Sequence, residues 1–168
     1  MTSSLDSLLR PRTVAVIGAS RTRGTIGAEV FHNLIANGFT GAVYPVNPGA
    51  HAVGGVRAYP SLREVPDDID LAVIVVPAVH VPAVIDDCVA KGVKGVLIIS
   101  AGFAETGDDG RARQDAMLAK VRAAGMRMVG PNCLGLLNAD PAISLDATFA
   151  PTWPPHGNVA FSSQSGAV

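Results

Sequence analysis

Gly130-Pro131-Asn132-Cys133-Leu134-Gly135 places an amide, a thiol and two glycines directly after an apolar run. A primary amide donates and accepts hydrogen bonds at once, and a thiol becomes a nucleophile when ionised. No His or Asp adjoins Cys133 to activate it, so a small residue beside a ligand is the better reading than a catalyst. Pro and Gly alone would reverse the chain, so Asn132 is expected to face a ligand. The second chemical group is Gly18-Ala19-Ser20-Arg21-Thr22-Arg23-Gly24-Thr25-Ile26-Gly27. A glycine-rich turn that opens a helix aims backbone N–H groups and the positive end of the helix dipole at a phosphate. Ser20 and Thr25 add hydroxyls there, and Arg21 and Arg23 add charge, so Gly18, Ser20, Arg21, Arg23, Gly24 and Thr25 form the candidate phosphate site.

The spacing narrows the ligand. Ser20 stands where G-x-G-x-x-G needs its second glycine, and no G-x-x-x-x-G-K-[ST] occurs, which excludes a P-loop. The next apolar run ends Val43-Tyr44-Pro45-Val46-Asn47-Pro48, without the Asp or Glu that holds a ribose diol. Val46, Asn47 and Pro48 suit an adenine or a slender chain better than the ribose of NAD. A third run ends in Val75-Val76-Pro77-Ala78, where proline closes the ladder and presents an apolar edge. A fourth ends in Ser100-Ala101-Gly102, small residues that let a ligand approach the backbone. Val76, Pro77, Ser100, Ala101, Asn132 and Cys133 thus extend the candidate site away from the phosphate turn. An elongated ligand fits, with phosphates at one end and a neutral, hydrogen-bonding tail at the other.

Such groups converge only if these runs are strands of one sheet. Short β-branched runs alternate with helix-like segments, which implies a parallel sheet covered by helices on both faces. Strands are expected at Thr13–Gly18, Ala42–Val46, Leu71–Val76, Gly95–Ser100 and Arg127–Gly130, with a last one at Asn158–Phe161. Nearly continuous apolar runs suit strands buried on both sides. Helices are expected at Leu5–Leu9, Thr25–Asn37, Val81–Lys91 and Asp108–Ala124; Gly38, Gly92 and Gly125 close the last three. The fold class is therefore α/β: a Rossmann-like, doubly wound, mostly parallel sheet. Ligands of such sheets bind outside the carboxyl ends of the strands.

Residues 1–138 read as the binding domain, and the Pro-rich, poorly periodic stretch 139–157 as an extended connector. Residues 158–168 read as the start of a second domain, because Ser162-Ser163-Gln164-Ser165-Gly166 has the look of a strand-to-helix turn. The expectation is a segment of a longer polypeptide.

Composition removes other classes. With 13 Lys+Arg against 14 Asp+Glu there is no electrostatic footprint for nucleic acid. No apolar run is long enough to span a bilayer and no secretory leader opens the chain. Cys88 and Cys133 are too few for a disulfide framework, so a cytoplasmic setting is expected. Cys88 lies on a helical apolar stripe and reads as core. His32, His51, His80 and His156 show no metal-ligand spacing. The Asp67-Asp68 and Asp86-Asp87 pairs read as solvated.

Five segments together resemble a known family: Pro11–Ser20, Tyr44–Pro48, Asp70–Ala78, Ile99–Phe103 and Gly130–Gly135. They look like the CoA-binding domain of NDP-forming acyl-CoA synthetases, ADP-forming members included, which are related to the α subunit of succinyl-CoA synthetase. The resemblance covers nearly the whole chain. It implies that CoA or acyl-CoA lies across the strand ends, phosphates on the Ser20–Gly24 turn and adenine between Val46–Pro48 and Val76–Pro77. The pantetheine arm then passes Ser100 and Ala101 towards Asn132 and Cys133. It also implies an acid–thiol ligase as parent, whose phosphohistidine and nucleotide-grasping parts, with ATP/ADP and Mg, lie in other domains or subunits. Two departures stand out: Gly49-Ala50-His51 replaces a lysine frequent in the family, and Ala101 replaces the acidic residue of succinyl-CoA synthetases. The same module resembles the N-terminal part of some bacterial protein-lysine acetyltransferases, so a CoA- or nucleotide-sensing role is the alternative. An NAD-dependent oxidoreductase is the weaker third reading.

Overall fold

The computed structural model describes residues 5–163. Its centre is a parallel sheet of β1 (Thr13–Ile17), β2 (Ala42–Val46), β5 (Leu71–Ile74), β6 (Gly95–Ile98) and β7 (Arg127–Val129). Two short antiparallel hairpins join it: β3 (Ala52–Val53) with β4 (Val56–Arg57), and β8 (Gly135–Asn138) with β9 (Leu145–Thr148). The sheet order is β2-β1-β5-β6-β7. The chain thus leaves β1 outward to β2 and then crosses back to β5, which makes the gap between β1 and β5 the switch point.

All residues of β5 and β6 are buried, as β-branched runs covered on both sides require. Alternation divides them between two cores. Ala15, Ile17, Ile74, Val96 and Ile98 pack on α3 (Val81–Lys91) and α4 (Asp108–Ala123), through Val81, Ile85, Cys88, Met117 and Val121. Val14, Val16, Val73 and Leu97 face the opposite side, which α2 (Ile26–Ala36) covers with Val30, Phe31 and Leu34. Leu8 of the short α1 (Asp6–Leu9) completes that second core, with Leu145 and Ala147 of β9. The helices expected from periodicity are therefore present to within two residues, and α3 has the expected bounds. Asp86 and Asp87, expected to be merely solvated, pair with Lys120 and Arg63, each at 2.6 Å.

Two sequence expectations give way. Asn158–Phe161 forms no strand, and Val159 and Phe161 stand 88% and 78% exposed. Alternating apolar residues need a ladder partner, and no described segment supplies one. Residues 139–157 are not simply extended, because they contain β9, buried over its whole length. Its pattern is disguised by a buried carboxylate: Asp146 accepts hydrogen bonds from Asn37 Nδ2 (2.8 Å) and from the Thr148 N–H (3.2 Å) and hydroxyl (2.7 Å). Asn33 Nδ2 donates to the carbonyls of Thr148 and Ala150, so Asn33 of α2 and Asn37, the residue that caps its end, hold the strand in place. The turn at residues 164–166 lies outside the described residues.

Candidate ligand site at the carboxyl ends of the strands

Glycine geometry builds the switch point. Gly18 follows β1 with φ +94°, and its N–H donates to the Val46 carbonyl at 2.9 Å. A Cβ at Gly18 would stand 3.1 Å from the Val75 backbone, and one at Gly27 would stand 2.0 Å from the Gly18 oxygen. Gly27 therefore lets α2 start directly over the turn, the role that the third glycine plays in dinucleotide folds. Sequence reasoning quoted Gly27 in the turn without selecting it; its spacing from Gly18 was the available signal.

The β1–α2 turn is held by its own side chains. Ser20 Oγ accepts the Thr22 N–H (3.0 Å), Thr25 Oγ1 donates to the Thr22 carbonyl (2.7 Å), and the Glu29 carboxylate accepts the Gly24 N–H (2.9 Å). Gly24 and Thr25 thus shape the turn. Arg21 and Arg23 are exposed, and neither makes an ion pair or hydrogen bond among the described residues.

The other strand ends are tied to one another. Asn47 Nδ2 donates to the Ala19 carbonyl and its Oδ1 accepts the Gly49 N–H, both at 2.7 Å, so its amide joins the ends of β1 and β2. Val46 is buried beneath it and Pro48 is exposed. Val76 is half-buried and Pro77 exposed at the end of β5. Ser100 Oγ donates to the Val76 carbonyl (2.5 Å), and the Ser100 carbonyl accepts the Asn132 N–H (3.0 Å). Cys133 Sγ donates to the Ile98 carbonyl at 3.4 Å. Asn132 has φ +54°, is exposed, and its side-chain amide has no partner among the described residues. Gly18, Val76, Ser100, Asn132 and Cys133 thus share one edge of the sheet, and Ala101 lies exposed beside them.

The electrostatics of this edge oppose nucleophilic chemistry. Burial pushes the Cys133 thiol above its ordinary value, which keeps it a neutral thiol at physiological pH. Burial, reinforced by Asp87, holds the Cys88 thiol at about 12. Hydrogen bonds and a bare backbone are what this edge offers a ligand.

An open cleft lies to one side of it. A cleft of about 760 Å³ is bounded by Ser20, Arg21 and Arg23, by Phe31 and His32 of α2, and by Gly54 of the β3–β4 hairpin. It shares three residues with the set read from the sequence; Val76, Ser100, Asn132 and Cys133 do not line it. The Gly54-Gly55 dipeptide between Val53 and Val56 is a hairpin signal that could have revealed this wall. His32 gave no signal, since an exposed helix position is ordinarily just solvated.

A parallel sheet with a glycine turn at its switch point defines a doubly wound, Rossmann-like α/β domain. Residues 12–139 match the model of the family described as CoA binding domain, and the chain belongs to that family. It is 48% identical over 158 residues to the ADP-forming acetate–CoA ligase of Methanocaldococcus jannaschii, which covers 94% of this chain and 22% of that protein. It is 48% identical over 164 residues to the α subunit of ADP-forming acetate–CoA ligase II of Pyrococcus furiosus, covering 98% and 35%. The dinucleotide-forming acetyl-coenzyme A synthetase 1 of Ca. Korarchaeum cryptofilum, solved in complex with phosphate and ADP, superposes with a TM-score of 0.92 at 45% identity. That match covers 97% of this chain and 34% of the synthetase. The chain thus spans about a fifth to a third of these relatives. It is a CoA-binding domain homologous to that of ADP-forming acetyl-CoA synthetases; the acetyltransferase and oxidoreductase readings gain no support from these relatives. No helix among the described residues is long and apolar enough to cross a membrane.

Proposed function

We propose that this chain holds CoA or acyl-CoA for an ADP-forming acid–thiol ligase and does not itself catalyse the ligation. The observation that carries the reading is the continuous polar edge from the Gly18 turn through Ser100 to Asn132, within the segment that matches the CoA-binding family. The phosphates meet the Ser20–Gly24 turn, where Arg21 and Arg23 have no protein partner among the described residues. The adenine lies against Val46–Pro48 and Val76–Pro77, with Asn47 fixing the two turns that flank it. The pantetheine arm runs past Ser100 and Ala101, and Asn132 meets its amides. The ligand's sulfur then lies near Cys133, whose neutral thiol packs without competing for the acyl group.

Residues 158–168 begin the next domain in this reading. ATP/ADP and Mg bind elsewhere in the full protein or in a partner subunit, and the setting is cytoplasmic. Names of relatives that include α subunits support such a division of labour.

Thermal unfolding of the chain with CoA or NAD tests the proposal. Ligand at 100 times its Kd stabilises by about 2.7 kcal/mol, or roughly 5–10 °C for a domain of this size. CoA is expected to produce that shift and NAD none. No response to CoA at millimolar concentration would overturn the reading.

A further inference from the structure

We propose that Glu105 and Arg113 are positioning residues for the thiol half of the ligand, acting through the backbone of Gly102 beyond the end of β6. The proposal rests on the CoA reading above and deepens it, since it concerns the neutral tail and not the phosphates.

After β6 the chain passes from a buried ladder to an exposed edge. The Ile99 N–H still donates to the Ile74 carbonyl at 3.0 Å, and Ser100 is tied to Val76 and Asn132. Ala101 is exposed, and neither its N–H nor its carbonyl is hydrogen-bonded among the described residues. Gly102 follows with φ +106°. A Cβ there would stand 2.8 Å from the Ala78 Cβ, so this loop meets the one after β5 at bare backbone. A glycine beside an unbonded residue has much conformational freedom, and ordering it on binding costs affinity.

Two charged side chains remove that freedom in advance. Glu105 Oε1 accepts the N–H groups of Gly102 (2.5 Å) and Phe103 (3.1 Å). Arg113 Nη1 of α4 donates to the Gly102 carbonyl at 2.7 Å. An anion therefore holds the donor of one glycine while a cation holds its acceptor, and such charge-assisted bonds are stronger than neutral ones. The Gly102 N–H keeps the Glu105 carboxyl below its ordinary 4.5, so the anion persists at neutral pH. Both side chains are exposed, and neither forms an ion pair with the other or with another described residue.

The rest of the loop is fixed without them. Phe103 is fully buried, and Gly110 lets α4 press on the Phe103 carbonyl, where a Cβ would stand 1.9 Å away. Gln114 Oε1 accepts the Ala104 N–H at 3.3 Å. What Glu105 and Arg113 add is the orientation of the Ala101–Gly102 peptide at the exposed rim. That peptide adjoins Ser100, along which the pantetheine arm runs in the proposed reading, and the unbonded groups of Ala101 stay open to the amides of the arm. A preset edge binds the arm without first having to be ordered.

Calorimetric titration decides the matter, with CoA and with adenosine 3′,5′-bisphosphate, which carries adenine and phosphates but no pantetheine arm. The chains compared are wild type, E105A, E105Q and R113A. Ordering a loop residue and its contacts on binding corresponds to about threefold to tenfold in affinity. E105A and R113A should weaken CoA by that factor and leave the bisphosphate within about twofold of wild type. E105Q retains the accepting oxygen and should bind CoA nearly as wild type does. Both positions are exposed, so the variants are expected to fold, which circular dichroism checks. A merely structural brace would weaken both ligands alike or neither. Either result, or a loss in E105Q equal to that in E105A, overturns the inference while the CoA reading stands. If wild type binds neither ligand, the CoA reading itself falls.

Discussion

The two ends of the site are built on opposite principles. Near β2 the chain displays charge on a turn whose arginines are exposed and without protein partners among the described residues. Near β6 and β7 the charged side chains at the strand end, Glu105 and Arg113, are engaged with the Gly102 backbone; there the backbone is packed so closely that a Cβ at Gly130 would stand 2.2 Å from the Ile98 oxygen. Charged groups recognise a ligand strongly yet depend on salt, whereas a steric edge fixes where a neutral tail lies. In the proposed reading one end takes the phosphates and the other sets where the neutral tail lies. A ligand that is polyanionic at one end and neutral at the other needs both.

The largest effect should come from breaking the steric half. Gly130→Ala places its Cβ against the Ile98 backbone at φ +88°, where an L side chain is strained. A cost of about 3 kcal/mol is expected, read as a lower urea midpoint at an unchanged slope. Gly27→Ala should cost at least as much, since the clashing atom is the Gly18 carbonyl at 2.0 Å. Stability near wild type in both would mean that the tight packing is not essential. Next comes the charged half. Arg21→Ala or Ser20→Ala should weaken CoA severalfold to about tenfold and leave phosphate-free pantetheine unchanged. Equal losses for both ligands would make the turn purely structural. Cys133→Ala should change CoA affinity less than about threefold, because a neutral thiol bonded to Ile98 contributes only a weak contact. Abolished binding would contradict that.

The smallest effect is a pH dependence with two opposite signs. Burial works against the charge of Asp70, but hydrogen bonds from Lys94 Nζ (2.5 Å) and the Arg12 N–H (2.9 Å) outweigh it and lower its pKa below 3.8. Its stabilisation is present above that ordinary value and is lost as pH falls through the lower folded value. Burial raises Asp146 above 3.8 despite its bonds from Thr148 and Asn37. The fold therefore favours its protonated form, and that contribution is present below 3.8 and fades as pH rises through the folded value. Urea titrations between pH 3 and 7 should show Asp70→Asn removing an acid-side loss. Asp146→Asn should flatten the opposite trend.

The fold was legible where burial on both faces forced continuous apolar runs, as in Leu71–Ile74 and Gly95–Ile98. It was not legible at Leu145–Thr148, because Asp146 and Thr148 satisfy each other inside the core and erase the apolar signature. The run at 158–161 misled for the converse reason: its alternation is a strand pattern, yet no partner pairs with it among the described residues. Among candidate site residues, the glycine turn lies after β1 and the Asn132-Cys133 bend after β7, at the strand ends where the sequence pattern put them. The wall formed by His32 was not legible, since only tertiary approach of a hairpin turns an exposed helix face into a cleft.

The central claim is that one ligand spans both halves, phosphates on the Gly18 turn and thiol beside Cys133. Backbone amide shifts recorded during titration of the chain with CoA test it most directly. The account predicts saturable shifts at residues 18–24, at Val76 and Ser100, and at Asn132 and Cys133, with a single Kd for all. Shifts confined to the arginine turn, with residues 100 and 132–133 unmoved at saturation, would contradict it.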